Sequence, residues 1–599
     1  MKTMKIHLSL ATALIAGLAA RGDLSLAKGR VSAVHSATLT YNNDGSLTMK
    51  SSSAEYASGF IMLPPSGETT FDLSAGRYLA ADIESLATDH QQRICLQIKD
   101  SSSDTFASIG LNPREKATIR LQLPHDFIYA YPSSAKGVRT LDTRNITNIS
   151  FHVVWPYEGQ FNGLLNMKVS NVRLTGSPDF ERQVSSAKYL PFVDKYGQFV
   201  HGTWKQKVTS DDELPADLAA ERAALKAKPS AWDDYGGWKN GPQLTATGHF
   251  RTEKVNGKWW LVTPEGHLFY SLGINVIKIE SDSPNGKSHP TWYESTAQTS
   301  MTFPTWNLQK KFGKTDFQSD YYDFILKRLD SWGINTIGNW SDGNLTKLSR
   351  KPYVLAAVAR PSGLPYLDSG FYNSLDSTFR SKMIQAVADA FASQSSLTKA
   401  KTDPMCIGFF IDNELTFPSD SAYFEPYFEA CRAAIKSAAP NKLYLGCRFK
   451  GLRNSDALWN AAAKYCDVIS SNSYVPTVEV FNRGSYAAAP NNLDKPVLHT
   501  EFHFGTMQRG MFSGGLCPVG DQCARGRNYK RVVEGALNNS LFVGSHWFQY
   551  RDQPLVGRGD GENYQIGFVD VCDRTYPQLT EAARVMGETM YELRYGSAK

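Results

Sequence analysis

Two glutamates stand where apolar runs end. Glu414 closes "CIGFFIDNE" (406–414), and Glu501 lies near the end of "PVLHTEF" (496–502). A carboxylate left alone in such surroundings is a costly ion. Two acids facing each other across a pocket have a use: one protonates the oxygen of a glycosidic bond, and the other attacks the anomeric carbon or activates a water. Mutual repulsion and partial burial then keep one carboxyl protonated near neutral pH. A buried ion pair with Arg360 or Arg448 is the plainer explanation for either glutamate alone. It accounts less well for both together, with Asn413 ahead of the first.

The neighbours suit the same chemistry. Asn413 is placed to hold a sugar 2-hydroxyl. Tyr474 is placed to hydrogen-bond Glu501, and His503 to donate to a sugar hydroxyl or to Glu501. Trp547 offers a ring as a floor for a sugar. Asn275, Asn339, Trp340, Arg360 and Asn472 end other apolar runs, and Gln549, Asp552 and Glu562 follow Trp547 on a stretch whose "RGDGEN" (558–563) reads as a site-lining loop. That loop lacks the Asp/Asn spacing of an EF-hand. There is no CxxC pair, no Cys/His cluster with zinc spacing, no GxSxG elbow and no Gly-rich phosphate loop, so neither metal nor cofactor is expected.

These residues need a scaffold. From about residue 246 onward, apolar runs alternate with amphipathic helical patterns. The runs are 269–277, 334–340, 353–360, 406–414, 443–449, 467–474, 496–502 and 542–550. Eight such strands with crossover helices predict a (β/α)8 barrel over 246–599, whose site lies at the C-terminal ends of the strands. Glu414 ends the fourth and Glu501 the seventh. Ahead of the barrel, 28–175 is a series of short alternating segments between turn residues, the pattern of an all-β sandwich of the kind that binds sugars in exported proteins, or that only shields its neighbour. Residues 176–245 form a connector with helical content.

Residues 1–27 read as a secretory signal. Lys2 and Lys5 precede an apolar stretch over 6–20, with small residues Ala19, Ala20 and Ala27 as cleavage sites. Export permits disulfides, and "CPVGDQC" (517–523) is spaced to close a small loop. The 64 basic and 58 acidic side chains nearly cancel, and no basic run marks a nucleic-acid or membrane partner. Oligomeric state is not legible.

The Asn413–Glu414 pair and Glu501 resemble the catalytic residues of glycoside hydrolase clan A, whose members are retaining enzymes. "GKWWLVTPEGHLFYSLGIN", "RLDSWGINTIGNW", "FFIDNEL", "TEFHFGTMQRGMF" and "GSHWFQYRDQPLVGRGDGENYQIGFVD" resemble the family 50 β-agarases over roughly 245–595. The resemblance implies an exo-acting retaining hydrolase that cuts β-1,4 bonds of agarose or neoagaro-oligosaccharides and releases neoagarobiose. It implies Glu414 as acid/base and Glu501 as nucleophile. Leu415 departs from the clan pattern, where many members have Pro, and the Cys517–Cys523 insert leaves substrate choice open. The rival readings are a clan A glycosidase on porphyran, a carrageenan or a β-galactoside, and a non-catalytic sugar-binding protein.

Overall fold

The computed structural model describes residues 24–52, 58–88, 92–123, 141–152, 165–176, 190–280, 290–294, 302–451, 454–475, 478 and 493–596. The signal-like segment up to residue 23 lies outside them. No helix among the described residues is long and apolar enough to cross a membrane.

The N-terminal region folds as two five-stranded antiparallel sheets. In chain order its strands are β1 (Val31–Val34), β2 (Ala37–Tyr41), β3 (Leu47–Ser51), β4 (Gly59–Met62), β5 (Tyr78–Ser85), β6 (Gln92–Lys99), β7 (Asp104–Leu111), β8 (Lys116–Gln122), β9 (Asn148–His152) and β10 (Asn166–Thr175). One sheet has the order β1-β4-β9-β6-β7 and the other β2-β3-β10-β5-β8. Period-two alternation puts Leu47, Met49, Ile94, Leu96, Phe151 and Met167 into one shared core. Two details differ from the sequence reading. "TTFDLSAG" contributes only a bridge from Phe71 to Ile146, and 104–111 is a full strand that a preceding run of serines hides.

A hairpin, β11 (Arg251–Val255) and β12 (Lys258–Val262), and a short β13 (Leu268–Phe269) lead into a nine-stranded parallel sheet. Its strands are β14 (Ser271–Ile274), β15 (Thr336–Ile337), β16 (Tyr353–Val358), β17 (Cys406–Ile411), β18 (Leu443–Tyr444), β19 (Phe449–Lys450), β20 (Ile469–Asn472), β21 (Val497–Phe502) and β22 (Phe542–Trp547). The order is β18-β17-β16-β15-β14-β22-β21-β20-β19. The first strand thus pairs with the last, and the two outermost members are separated by four residues of chain. The result is a curled, TIM-barrel-like sheet. β17, β21 and β22 are buried at every position, as strands covered on both faces must be.

One apolar cluster shows which end is closed. Val354, Ile407, Leu443, Val468, Leu498 and Val543, from the starts of the strands, pack with Phe250, Leu261 and Phe269 of the hairpin region. The hairpin therefore plugs the N-terminal end. The C-terminal end carries backbone strain instead. Val276, Trp340, Arg360, Asp412, Glu414 and Arg448 all have φ between 45° and 66°, six of the thirteen non-glycine residues with positive φ among those described. Each such conformation costs about 1–3 kcal/mol and persists only where its surroundings impose it. A β-branched residue like Val276 is a particular outlier there.

The helix Glu213–Ala224 is fastened to the TIM-barrel-like region by buried charge. Asp573 receives Lys311 at 2.9 Å, Arg328 at 2.9 Å and Arg551 at 3.2 Å, and Arg328 also reaches Glu221 on that helix at 2.6 Å. Burial opposes the Asp573 charge, but the three cations outweigh it and hold its carboxyl well below the ordinary range.

Candidate active site

Glu414 follows β17 and Glu501 lies within β21. Glu501 is only 5% exposed. Its two oxygens have separate holders. Oε1 accepts from Arg448, which sits between β18 and β19, and Oε2 accepts from the Tyr474 hydroxyl at 2.6 Å. Burial pushes the Glu501 carboxyl above its ordinary range and the charge of Glu414 adds to this, while Arg448 and Tyr474 pull it down. Burial, then the Glu501 charge, drive the Tyr474 hydroxyl well upward, so it stays a donor.

Asn472 ties the two acids together. Its Nδ2 donates to Glu414 Oε1 at 2.8 Å and to Asn413 Oδ1 at 3.2 Å, and its Oδ1 accepts from Thr500, next to Glu501, at 2.7 Å. Asn413 Oδ1 also accepts from Arg448 Nε at 2.8 Å. Two donors on its oxygen set the amide orientation and turn its Nδ2 the other way. Beneath the turn, Asp412 accepts from Tyr372 at 2.8 Å, Tyr427 at 2.9 Å and the Arg360 backbone N–H at 2.7 Å. This buried aspartate anchors the left-handed turn that presents Asn413 and Glu414.

Around the pair, Asn339 is 1% exposed, and neither of its amide atoms has a hydrogen-bond partner. Asn275 donates to the Thr500 carbonyl at 2.7 Å, and its Oδ1 has no partner. Gly338 lies so close that a Cβ there would stand 2.5 Å from that oxygen. Trp340 is half-buried with its ring 5.8 Å from the Arg448 guanidinium, and Arg360 is exposed at the rim. Glu562 accepts from Gln553 at 2.9 Å and pairs with Arg558 at 2.9 Å.

Six expected features lie otherwise in the structure than the sequence suggests. Trp547 is 0% exposed: it packs against Phe502 at 5.3 Å and Tyr529 at 5.7 Å, and its indole N–H donates to the Ile566 carbonyl at 2.7 Å. It is core. Phe548, the next residue, turns the other way and clusters with Val276, Tyr564 and Ile566 beside Trp340. His503 has no nitrogen to spare, since Nε2 accepts from the Leu516 N–H at 2.9 Å and Nδ1 bonds the Phe548 carbonyl at 3.2 Å. Asp552 is spent on the Gly567 N–H at 2.6 Å and the Tyr576 hydroxyl at 2.5 Å, with burial pushing its carboxyl up to about 6. Gln549 is fully buried and donates to the Arg551 carbonyl at 2.9 Å. Cys517 is buried and Cys523 exposed, and no disulfide joins them, so the loop they bracket is held by other means. Asn472, read as a substrate contact, is 1% exposed and serves the acids instead. Among the described residues one trio of potential metal ligands converges, Asp233, Glu265 and His267. It lies at the turn before β13, at the plugged end, and two of its members already bond each other at 2.6 Å.

The residue most underrated by the sequence is Arg448. It appears there only as a possible ion-pair partner; it is one, and it also orients Asn413.

The Trp547 placement makes a prediction. Trp547→Ala should cost about 3–5 kcal/mol of stability, the usual range for deleting a buried ring. KM and kcat per folded molecule should change little. Denaturant melts with parallel kinetics test this; a stable variant with a raised KM would restore the ring to the sugar site.

No family model matches the chain. Over 583 residues it is 27% identical to β-agarase B of Vibrio sp. (strain JT0107), covering 77% of this chain and 60% of that protein. It is 26% identical to β-agarase A of the same strain over 521 residues, covering 67% and 52%. The chain thus spans a little over half the length of these curated relatives. Among solved structures, the agarase AgWH50C superposes with a TM-score of 0.70 at 25% identity, over 95% of this chain and 98% of that one. The chain is related to the family 50 β-agarases. The fold of PfGH50B agrees, with a TM-score of 0.72 at 24% identity over 94% of this chain and 98% of that one. So does that of an exo-β-agarase, at 0.70 and 23% over 96% and 99%. The likeness runs nearly the full length of these chains, so it includes the N-terminal sheets as well as the region of the two acids.

Proposed function

We propose that the chain is a retaining glycoside hydrolase that cleaves β-1,4 bonds of agarose and neoagaro-oligosaccharides, exo-acting, with release of neoagarobiose. The observation that carries the chemistry is the treatment of Glu501. Arg448 on one oxygen and Tyr474 on the other counter the burial that disfavours this carboxylate and hold it still, as a nucleophile needs. Glu414, half-buried and steadied by Asn472, protonates the glycosidic oxygen as Glu501 attacks the anomeric carbon. The leaving sugar departs with that proton. Glu414 then takes a proton from water, the water attacks the same carbon, and Glu501 leaves. Two inversions give net retention.

Asn413 Nδ2 faces the sugar 2-hydroxyl in this reading. Asn339 and Asn275 supply further polar contacts, and Trp340 and Phe548 supply the rings. The catalytic region is a (β/α)8 barrel over 246–599 whose fifth strand is interrupted at 445–448. Residues 28–175 are a carbohydrate-binding-like sandwich, 176–245 the connector, and 1–27 a signal that sends the protein to the periplasm or outside the cell. The likeness to β-agarase B and, over 95% of this chain, to the agarase AgWH50C supports the substrate class.

Chromatography of the products from agarose tests the reading. A disaccharide accumulating from the earliest time points is expected. A ladder of longer oligomers would make the enzyme endo-acting, and activity confined to another galactan would move the substrate class.

The Arg448 contact gives a pH prediction. In Arg448→Met, only the Tyr474 hydrogen bond still opposes burial and the Glu414 charge at Glu501, so its carboxyl rises further. The acidic limb of kcat/KM against pH reports the group that must be ionised in the free enzyme. That limb should move to higher pH, and activity in mild acid should fall most. An unmoved limb would mean that Arg448 does not set the Glu501 charge.

A further inference from the structure

We propose that the N-terminal sandwich is a working part of the active site: it holds the loop 505–521 in place, and through that loop His503 acts as a positioning residue for Tyr474 and Glu501. This rests on the reading of Glu501 as the nucleophile.

The contacts form an unbroken path. The Tyr474 hydroxyl donates to Glu501 Oε2 at 2.6 Å. The rings of Tyr474 and His503 lie 4.6 Å apart, a tilted pair in direct contact. His503 is clamped at both nitrogens. Because Nε2 accepts from the Leu516 N–H at 2.9 Å, the ring proton belongs on Nδ1, which donates to the Phe548 carbonyl at 3.2 Å. The clamp is tight. Gly515 has φ +73°, and a Cβ there would stand 2.6 Å from His503 Nε2. Burial drives the His503 pKa down to about 3, so the ring stays neutral and keeps this tautomer at any ordinary working pH.

The loop that carries Leu516 does not stand alone. It is tied to the chain just after β21 by the Gly505 N–H to the Cys517 carbonyl at 3.2 Å and by the Val519 N–H to the Gly505 carbonyl at 2.8 Å. Its other side rests on the sandwich. The Ser108 N–H of β7 donates to the Pro518 carbonyl at 3.1 Å, and Arg120 of β8 pairs with Asp521 at 3.0 Å. Gln122 donates to the Met507 carbonyl at 3.1 Å, and Gln508 donates to the Tyr78 hydroxyl at 2.6 Å. The approach is close enough that a Cβ on Gly520 would collide with the Arg120 carbonyl at 1.7 Å. Behind the loop, Arg531 reaches the Gly110 carbonyl and Glu115.

A free loop of this length would sample many conformations, and the Leu516 N–H would hold His503 only part of the time. Docking on strands of both sheets removes that freedom. The gain appears at Glu501, where a misplacement of about 1 Å can cost about 100-fold in rate. A relay of this kind changes turnover more than substrate affinity, because none of its members touches the sugar except through Glu501.

A double-mutant cycle in the full-length protein tests it, with kcat and KM measured on neoagaro-oligosaccharides. His503→Phe keeps a ring and loses both hydrogen bonds. It should lower kcat by about 10–100-fold and leave KM within about twofold. Made on Tyr474→Phe, which already lacks the hydroxyl, it should cost less than about threefold, because coupled residues are not additive. Arg120→Ala with Gln122→Ala, on the sandwich face, should lower kcat in the Tyr474 enzyme and not in Tyr474→Phe. If His503→Phe does not fold, Gly515→Ala displaces the same contact without touching the ring and should show the same dependence on Tyr474. Additive effects, or a sandwich-face variant with unchanged kcat, overturn the relay. An active Glu501→Gln enzyme would instead overturn the nucleophile assignment on which the relay depends.

Discussion

Glu501→Gln is expected to lose turnover on agaro-oligosaccharides by about 10⁴-fold or more, the scale of removing a covalent nucleophile, while the protein stays folded. The amide matches the carboxylate in shape but cannot attack an anomeric carbon. It can still accept from Tyr474 through its oxygen. Against Arg448 it is a poorer partner, since an amide nitrogen placed there would face a guanidinium N–H. Some loss of stability is therefore expected beside the loss of chemistry, because a buried cation left without its anion is costly. The two effects separate experimentally. Circular dichroism and a melting curve report the fold, and rate per folded molecule reports the chemistry. Activity near that of the unaltered enzyme would remove Glu501 from the mechanism.

Glu414→Ala should show a different pattern, and the difference identifies its role. A general acid matters most where the leaving group is poor. Turnover of the natural oligosaccharide should fall by about 10²–10⁴-fold. An aryl glycoside whose phenol leaves without protonation should still undergo the first step, so the glycosyl-enzyme on Glu501 builds up after a burst. Azide, small and already anionic, needs no general base. It should restore turnover and give a glycosyl azide of the same anomeric configuration as the substrate. Equal losses on both substrates, with no azide effect, would make Glu414 a structural or binding residue. The geometry favours the first result: Asn472 steadies one Glu414 oxygen at 2.8 Å and the residue stays half-exposed, so the second can exchange a proton with solvent.

Much of this arrangement is legible in the residues themselves. The apolar runs are short, regularly spaced and end in polar groups, so both the order of the parallel strands and the positions of Glu414 and Glu501 follow from periodicity. What fails is whatever depends on a facing partner. Trp547 and Phe548 are adjacent rings at one strand end, and a shift of one residue exchanges the face each occupies; nothing local says which ring enters the core. Arg360 and Arg448 both lie near the ends of apolar runs, and only the folded barrel shows that Arg448 meets Glu501. His503 looks free because its partners, Leu516 and the Phe548 carbonyl, lie 13 and 45 residues away. The sandwich looks dispensable because both acids come from the barrel. Its contacts with the 505–521 loop, such as Arg120 with Asp521 and Gln122 with the Met507 carbonyl, join residues 401 and 385 positions apart, and no local pattern announces them.

The backbone strain has the same explanation. Left-handed residues gather at the open end of the strands, where Asp412 and its tyrosines hold the Glu414 turn against its preference. Stability is given up there to aim two side chains.

The most direct test of the central claim is to trap the covalent intermediate. A substrate analogue with fluorine at C2 of the cleaved sugar and a reactive leaving group slows both steps, and deglycosylation becomes the slower. Peptide mass spectrometry of the inactivated enzyme should then find the sugar on the peptide containing Glu501, attached to that residue. A label on any other carboxylate, or fast turnover with inverted product and no label at all, would contradict the account.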